Sequence, residues 1–271
     1  MINYIFHIFS HPFMIRALIV GLLVALCGAL LGVNLVLKRC SMIGDGLSHV
    51  AFGAMAVAAA LNFAPLVLAV PVVLIAAFFL MGVKENGKIK GDSAIAIITS
   101  SSLAIGVMVA TFSKGMNTEL MNYMFGSILS LSNFDTVFGI VLSVVVVSLY
   151  IIFYRGIFAV TFDESFAKAT GVNVDAYRIM NSILTSVVVV LGMRMMGTLL
   201  ISALLVFPPL SAMRVMKNYK GVVIVSAIIS VVCFLAGLMV SSLFSTPVGA
   251  TVVVANLVVF IIMGIVSFFK K

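Results

Sequence analysis

The chain has 271 residues, of which 63% are hydrophobic and only 9% charged, with a formal net charge of +8. A soluble domain carries roughly a quarter charged residues, so this chain cannot cover a water-facing surface and must lie in lipid; alternating short segments of the outer-membrane barrel type are absent. Its Lys and Arg form no continuous basic stripe, which argues against nucleic acid. Its three scattered cysteines (Cys27, Cys40, Cys233) have no Cys-x-x-Cys spacing and suggest neither a disulfide framework nor a thiolate metal site.

Apolar runs recur along the chain at about 13–37, 46–63, 64–83, 93–112, 134–154, 179–195, 197–213, 221–243 and 248–268. Most approach or exceed the ~18 residues that an apolar helix needs to span a bilayer. The first run has no small-residue cleavage site and reads as a retained span. Basic clusters at Lys38-Arg39, Lys84/Lys88/Lys90, Arg155/Lys168/Arg178, Arg214/Lys217/Lys220 and Lys270-Lys271 separate the runs into pairs. If all of them face the cytoplasm, the first run crosses inward and nine spans result. Eight spans with a re-entrant segment near 40–63 is the alternative. The fold class is therefore an all-α, polytopic membrane helix bundle of eight or nine spans, one domain over residues 1–271.

Two connecting segments are more than loops. Residues 113–133 are amphipathic and too polar to span, and they read as a short helix at the outer surface. Residues 155–178 hold three acids and three bases, whose charge places them inside. Within them "DESFAKAT" reads as a short helix capped by Asp163 or Thr161 and stopped by a left-handed Gly171. Small residues are dense in "GLLVALCGALLG", "AFGAMAVAAA" and "TSSSLAIG", which lets helices approach closely in lipid. Pro208-Pro209 is expected to break its helix, and Thr246-Pro247 the junction before the last run.

Enzyme motifs are missing. There is no Walker A loop, so the chain is not itself an ATPase, and there is no HExxH or Gly-x-Ser-x-Gly. Of the eight acids, seven fall in or beside the hydrophilic segments. Asp45 alone adjoins the start of an apolar run with a histidine four residues on, in "MIGDGLSHV". On a helix, positions 45 and 49 share a face with Cβ atoms roughly 5–6 Å apart. A carboxylate and an imidazole at that spacing can hold one divalent ion, of the kind Zn²⁺ or Mn²⁺ accepts. The competing reading is that Asp45 caps a helix starting at Gly46 while His49 packs as a neutral core residue. A charge at membrane depth costs roughly 2.5–3.5 kcal/mol, more than the ~1 kcal/mol a cap returns if the site is deep, which favours metal or proton handling over the cap.

At these residues the chain resembles the membrane subunit of the zinc/manganese ABC importer family. "LKRCSMIGDGLSHVAFGA" resembles the family's signature of an aspartate followed four residues later by histidine. "DSAIAIITSSSLAIGVMV" is similar to its Ser-rich span and "LMNYMFGSILSLS" to its outer amphipathic segment. "TFDESFAKATGVNVDAYR" resembles its cytoplasmic coupling helix, and "GTLLISALLVFPPLSAMR" its Gly-Thr-x-Leu run. The likeness covers nearly the whole chain and implies an ABC importer permease of the metal-chelate/vitamin type in the cell membrane. It implies a homodimer, two ATP-hydrolysing subunits inside and an extracellular or periplasmic metal-binding protein. Asp45 and His49 would line the path of transported Zn²⁺ (or Mn²⁺), with no permanently bound cofactor. A coupling helix near 161–171 would engage the ATPase through Phe162, Asp163, Glu164, Ala167 and Gly171. One departure is Ser245, where zinc-type members often carry an acid before "TP-x-G". "GDGLSHV" looks closer to zinc-type than to manganese-type versions.

Three other readings stand beside this one. A manganese or iron permease of the same family would look alike. An ATP-independent secondary transporter would need coupling acids within spans, for which only Asp45 is a candidate. An intramembrane enzyme would need a fuller catalytic set than one Asp–His pair.

Overall fold

A computed structural model of the chain describes residues 12–82, 91–112 and 133–269, together with Met124 and Gly126. The described residues form helices and no strands: α1 (Pro12–Leu37), α2 (Met42–Ala60), α3 (Pro65–Gly82), α4 (Gly91–Phe112), α5 (Asn133–Ile152), α6 (Tyr154–Phe162), α7 (Glu164–Ala169), α8 (Val174–Met196), α9 (Thr198–Val215), α10 (Tyr219–Phe244) and α11 (Val248–Phe269). All but α6 and α7 are long and apolar enough to cross a membrane, which makes nine among the described residues. The chain is a multi-pass membrane protein. The segment 40–63 forms one unbroken helix of 19 residues, α2, long and apolar enough to cross.

The turns are as specific as the runs. After α1, Arg39 adopts φ 57°, and the amides of Arg39 and Cys40 donate to Val36 and Leu35 carbonyls at 3.0 and 2.8 Å. This is a Schellman closure, and it fixes the angle at which the chain enters α2. The join of α8 to α9 is a single residue, Gly197, at φ 86° and ψ 162°. The positive φ is available to glycine at no steric cost, so two spans fit where the sequence offered about 35 residues. The last junction breaks where expected, with Ser245 at φ 53° ahead of Pro247.

At the centre, α1 packs against α5, α8, α9 and α10, while α2 is wrapped by α3 and α4 with α8 and α9 behind it. The small residues work as expected. A methyl group on Gly53 of α2 would sit 2.6 Å from the Ser102 carbonyl of α4. The outer amphipathic segment expected at 113–133 lies outside the described residues apart from Met124, Gly126 and Asn133. Gly126 rests on the Met196–Gly197 backbone, and Thr198 donates to the Met124 carbonyl at 3.3 Å.

One expectation fails: α9 continues through Pro208-Pro209. Each proline removes one donor to the carbonyl four residues back, here Leu204 and Leu205. Those carbonyls are not left in lipid. Gly28 and Gly32 of α1 lie against them, and a methyl on Gly32 would come within 2.1 Å of the Leu205 oxygen. The Gly-x-x-x-Gly notch lets the α1 backbone approach α9 closely at the freed carbonyls, most of all at Leu205. The surrounding helices hold α9 together where its own hydrogen bonds do not.

Candidate metal path and cytoplasmic coupling element

α2 begins at Met42, so Asp45 lies in its first turn and is not the cap; the cap position is Ser41, whose side chain makes no capping bond. Three faces of α2 are taken. Gly44 abuts Leu205 of α9, Gly46 abuts Ile95 and Thr99 of α4, and Leu47 is fully buried. The remaining stripe carries Met42, Asp45 and His49. Met42 is 55% exposed, and the side chains of Asp45 and His49 are 40% and 20% exposed. On a helix otherwise sunk in the bundle, the acid and the imidazole are what the chain leaves open.

The two side chains meet without engaging. His49 Nε2 lies 3.8 Å from Asp45 Oδ1, too far for a hydrogen bond. The Nδ1 atom is buried with no partner. Two ligands on one tetrahedral ion, each at ~2.0–2.2 Å, stand ~3.4 Å apart, so a small adjustment would let both reach the same ion. Among the described residues, no group of three or more His, Cys, Asp and Glu side chains gathers anywhere. Asp45 and His49 would thus supply, among the described residues, two of the four positions of a tetrahedral shell. Ser245 faces the last junction in a left-handed turn.

The segment 155–178 folds as its residues dictate. Asp163 is the N-cap of α7, its Oδ1 accepting from the Phe166 amide at 2.9 Å, whereas Thr161 belongs to α6 and donates to the Ile157 carbonyl. Gly171 closes the helix at φ 84°, with Val172 N–H donating to the Ala167 carbonyl at 2.9 Å. Ala167 is fully buried against Val160 of α6 and Val174 of α8, so it seats α7 and presents no outer surface. Phe162 and Phe166 are 59% and 64% exposed. Phe166 escaped the sequence reading; its signal was a large apolar side chain three residues after the cap.

Ahead of α7, Tyr154–Phe162 form the separate short helix α6. It stacks Tyr154, Phe158 and Phe162 around Tyr219 at ring-centroid distances of 5.4, 5.1 and 5.8 Å. The Tyr219 hydroxyl donates to Asn34 Oδ1 at 2.8 Å. The platform beneath α7 is thereby fixed to the starts of α8 and α10 and the end of α1.

Glu164 turns inward. Lys38 Nζ donates to its Oε1 at 2.7 Å and Arg178 Nη2 to its Oε2 at 3.0 Å. Partial burial works to raise its carboxyl, but the hydrogen bond and charge of Lys38, joined by Arg178, outweigh it and hold Glu164 below the ordinary carboxylate range. This contact also puts the first basic cluster and the 155–178 segment at one end of the bundle, the cytoplasmic end by the positive-inside rule.

Known proteins resemble this chain over nearly its full length. The high-affinity zinc uptake system membrane protein ZnuB of Haemophilus influenzae is 29% identical over 255 residues, covering 94% of this chain and 96% of that one. The manganese import system permease protein ScaB of Streptococcus gordonii is 29% identical over 257 residues, covering 95% and 91%. Among solved structures, PsaBC from Streptococcus pneumoniae in complex with Fab superposes with a TM-score of 0.86 at 28% identity, over 97% of this chain and 95% of that one. The profile of the ABC 3 transport family matches residues 10–267, and with that match spanning the bundle from α1 to α11 the chain belongs to this family.

Proposed function

We propose that the chain is the membrane permease of an ATP-driven importer of divalent metal, with zinc ahead of manganese as the ion moved. The observation that carries this reading is the Asp45–His49 pair, open on a helix that is otherwise buried and short of ligands by about half. Two copies of the chain, each facing its α2 stripe to a common axis, would offer two carboxylates and two imidazoles to one ion. Such a site completes itself only in the dimer. Weak binding suits passage, since an ion must leave again. Relatives named for zinc and for manganese match the chain equally well. The imidazole tips the choice, because nitrogen–oxygen sites favour zinc over manganese in the divalent affinity order.

The exposed Phe162 and Phe166 around α7 support a docking surface for a separate ATPase on the cytoplasmic side, with Asp163 and Gly171 shaping that helix and Ala167 seating it. Apolar aromatics at a water-facing element are characteristic of partner contact. An extracellular metal-binding protein would deliver the ion at the opposite face.

The test is uptake of radioactive zinc and manganese into vesicles holding the permease with its ATPase and binding protein. Uptake should require ATP, and Asp45→Asn or His49→Ala should reduce it by at least the roughly tenfold that the loss of a mere outer-shell partner of a metal ligand costs. ATP-independent uptake would point to a secondary transporter, and undiminished uptake in both variants would remove the pair from the path. Faster saturable uptake of manganese than of zinc would reverse the choice of ion.

A further inference from the structure

Glu164 joins three parts of the molecule. One oxygen holds Lys38 at the end of α1, the other holds Arg178 in the second turn of α8, and the residue itself opens α7. α7 is rigid for its length: Asp163 caps it, Gly171 closes it, and Ala167 is fully buried beneath it. Lys38 in turn leads straight into the Schellman closure at Arg39, and from there into the first turn of α2, where Asp45 lies. A displacement of α7 is therefore passed to the entry of α2 through one carboxylate and one tight turn.

The space behind this link is built for movement. A cavity of about 60 Å³ is lined by Asn34, Lys38, Cys40, Met81, Arg178 and Asn181 among others. Asn34 Nδ2 and Asn181 Oδ1 are both buried there without hydrogen-bond partners. Buried amides of this kind are normally satisfied, so these two are spare groups: Asn34 Nδ2 can donate to a water, and Asn181 Oδ1 can accept from a water or from the shifting Lys38 ammonium. The cationic heads at the mouth of the cavity can follow Glu164 without leaving a packed core.

We propose that Lys38 and Glu164 form a strap that transmits motion of the ATPase-docked α7 to α2 and so positions Asp45 and His49 during the transport cycle. The inference rests on the permease reading above and gives Glu164 a different task from contacting the ATPase. Lys38 is a positioning residue: it touches neither metal nor ATPase.

The experiment uses the whole importer in vesicles and measures metal moved per ATP hydrolysed, alongside co-purification of the ATPase and zinc binding by the solubilised permease. In Lys38→Gln the complex should assemble and hydrolyse ATP, while metal moved per ATP falls by about fivefold or more, the lower range of an allosteric coupling. The inverted set K38E/E164K/R178E should restore the ratio, which a simple docking role for Glu164 would not. Unchanged stoichiometry in Lys38→Gln overturns the strap. So does failure of the inverted set to assemble with the ATPase when Lys38→Gln assembles normally, since Glu164 would then be a docking contact. If wild type moves no metal, or Asp45→Asn has no effect, the permease reading fails instead, whatever Lys38 does.

Discussion

Arg194 Nη2 lies 2.9 Å from Asp135 Oδ1, joining the last turn of α8 to the first turn of α5 at the end of the bundle remote from α7. The Asp135 side chain is 11% exposed and Arg194 33%, so the pair is screened far less than a surface bridge. Removing one partner strands a charge in a semi-buried place, at a cost of about 1–3 kcal/mol. Asp135→Ala and Arg194→Ala should each lower the thermal unfolding temperature of the detergent-solubilised protein. The double variant should be less destabilised than the sum, because the second deletion removes the stranded charge. Additive losses would mean that the two residues act separately.

Gly32 gives a second, sharper test. A methyl group there would lie 2.1 Å from the Leu205 carbonyl oxygen, backbone that cannot swing aside, whereas one on Gly28 would lie 3.4 Å from Leu204 Cβ. Gly32→Ala should therefore cost about 1–3 kcal/mol as an overpacked contact, and Gly28→Ala much less. Measured unfolding of the two variants in the same detergent decides it. Equal effects would show that α1 and α9 can separate freely at Pro208-Pro209.

These cases mark what sequence could and could not reveal. The nine spans were readable because lipid demands long apolar helices and basic clusters keep their pairs in phase; only their ends moved, as with α8, which starts at Val174 rather than near 179. The cap at Asp163 and the stop at Gly171 were readable because both effects are local. Pro208-Pro209 misled because the compensation comes from Gly32, far away in sequence. Asp135 and Arg194 were each visible as flanking charges, but nothing in one dimension pairs them. The Asp45–His49 spacing was legible as a shared helix face; that this face is the open one required α3, α4 and α9 to close the others.

Gly171 separates conformation from space. Its φ is 84°, yet a methyl built there meets nothing within 4 Å, so any penalty is backbone strain. Gly171→Val should cost about 1–2 kcal/mol in the left-handed region, spent locally on fraying α7. Gly171→Asn, which tolerates that region, should be nearly silent. Hydrogen exchange over residues 164–169 reports the local opening, and ATP-coupled transport should fall for Val and persist for Asn. Equal loss for both would mean that the added side chain collides with the ATPase.

The Lys38–Glu164–Arg178 cluster also sets a pH dependence. The Glu164 carboxyl titrates below its ordinary value of 4.5 because, against partial burial, Lys38 and Arg178 favour its charged form. The sign follows from linkage: a carboxylate with a lowered folded-state pKa contributes its stabilisation in full above the ordinary value. That contribution is lost as pH falls through the lower one. The chain has no tryptophan, so Phe166→Trp on α7 is a lone fluorescent reporter. In the isolated permease its emission should stay constant from neutral pH down past the ordinary carboxylate range and change only below it. On a Glu164→Gln background the emission should already be altered at neutral pH and lack the transition that lies below the ordinary carboxylate range. Asp163, whose carboxylate caps α7, and Asp175, 4.0 Å from Arg178, are the neighbouring acids, and Asp163→Asn, which keeps a capping oxygen, and Asp175→Asn serve as controls that should leave the transition in place. A transition retained in Glu164→Gln but abolished by Asp175→Asn would move the titrating link from α7 to the start of α8.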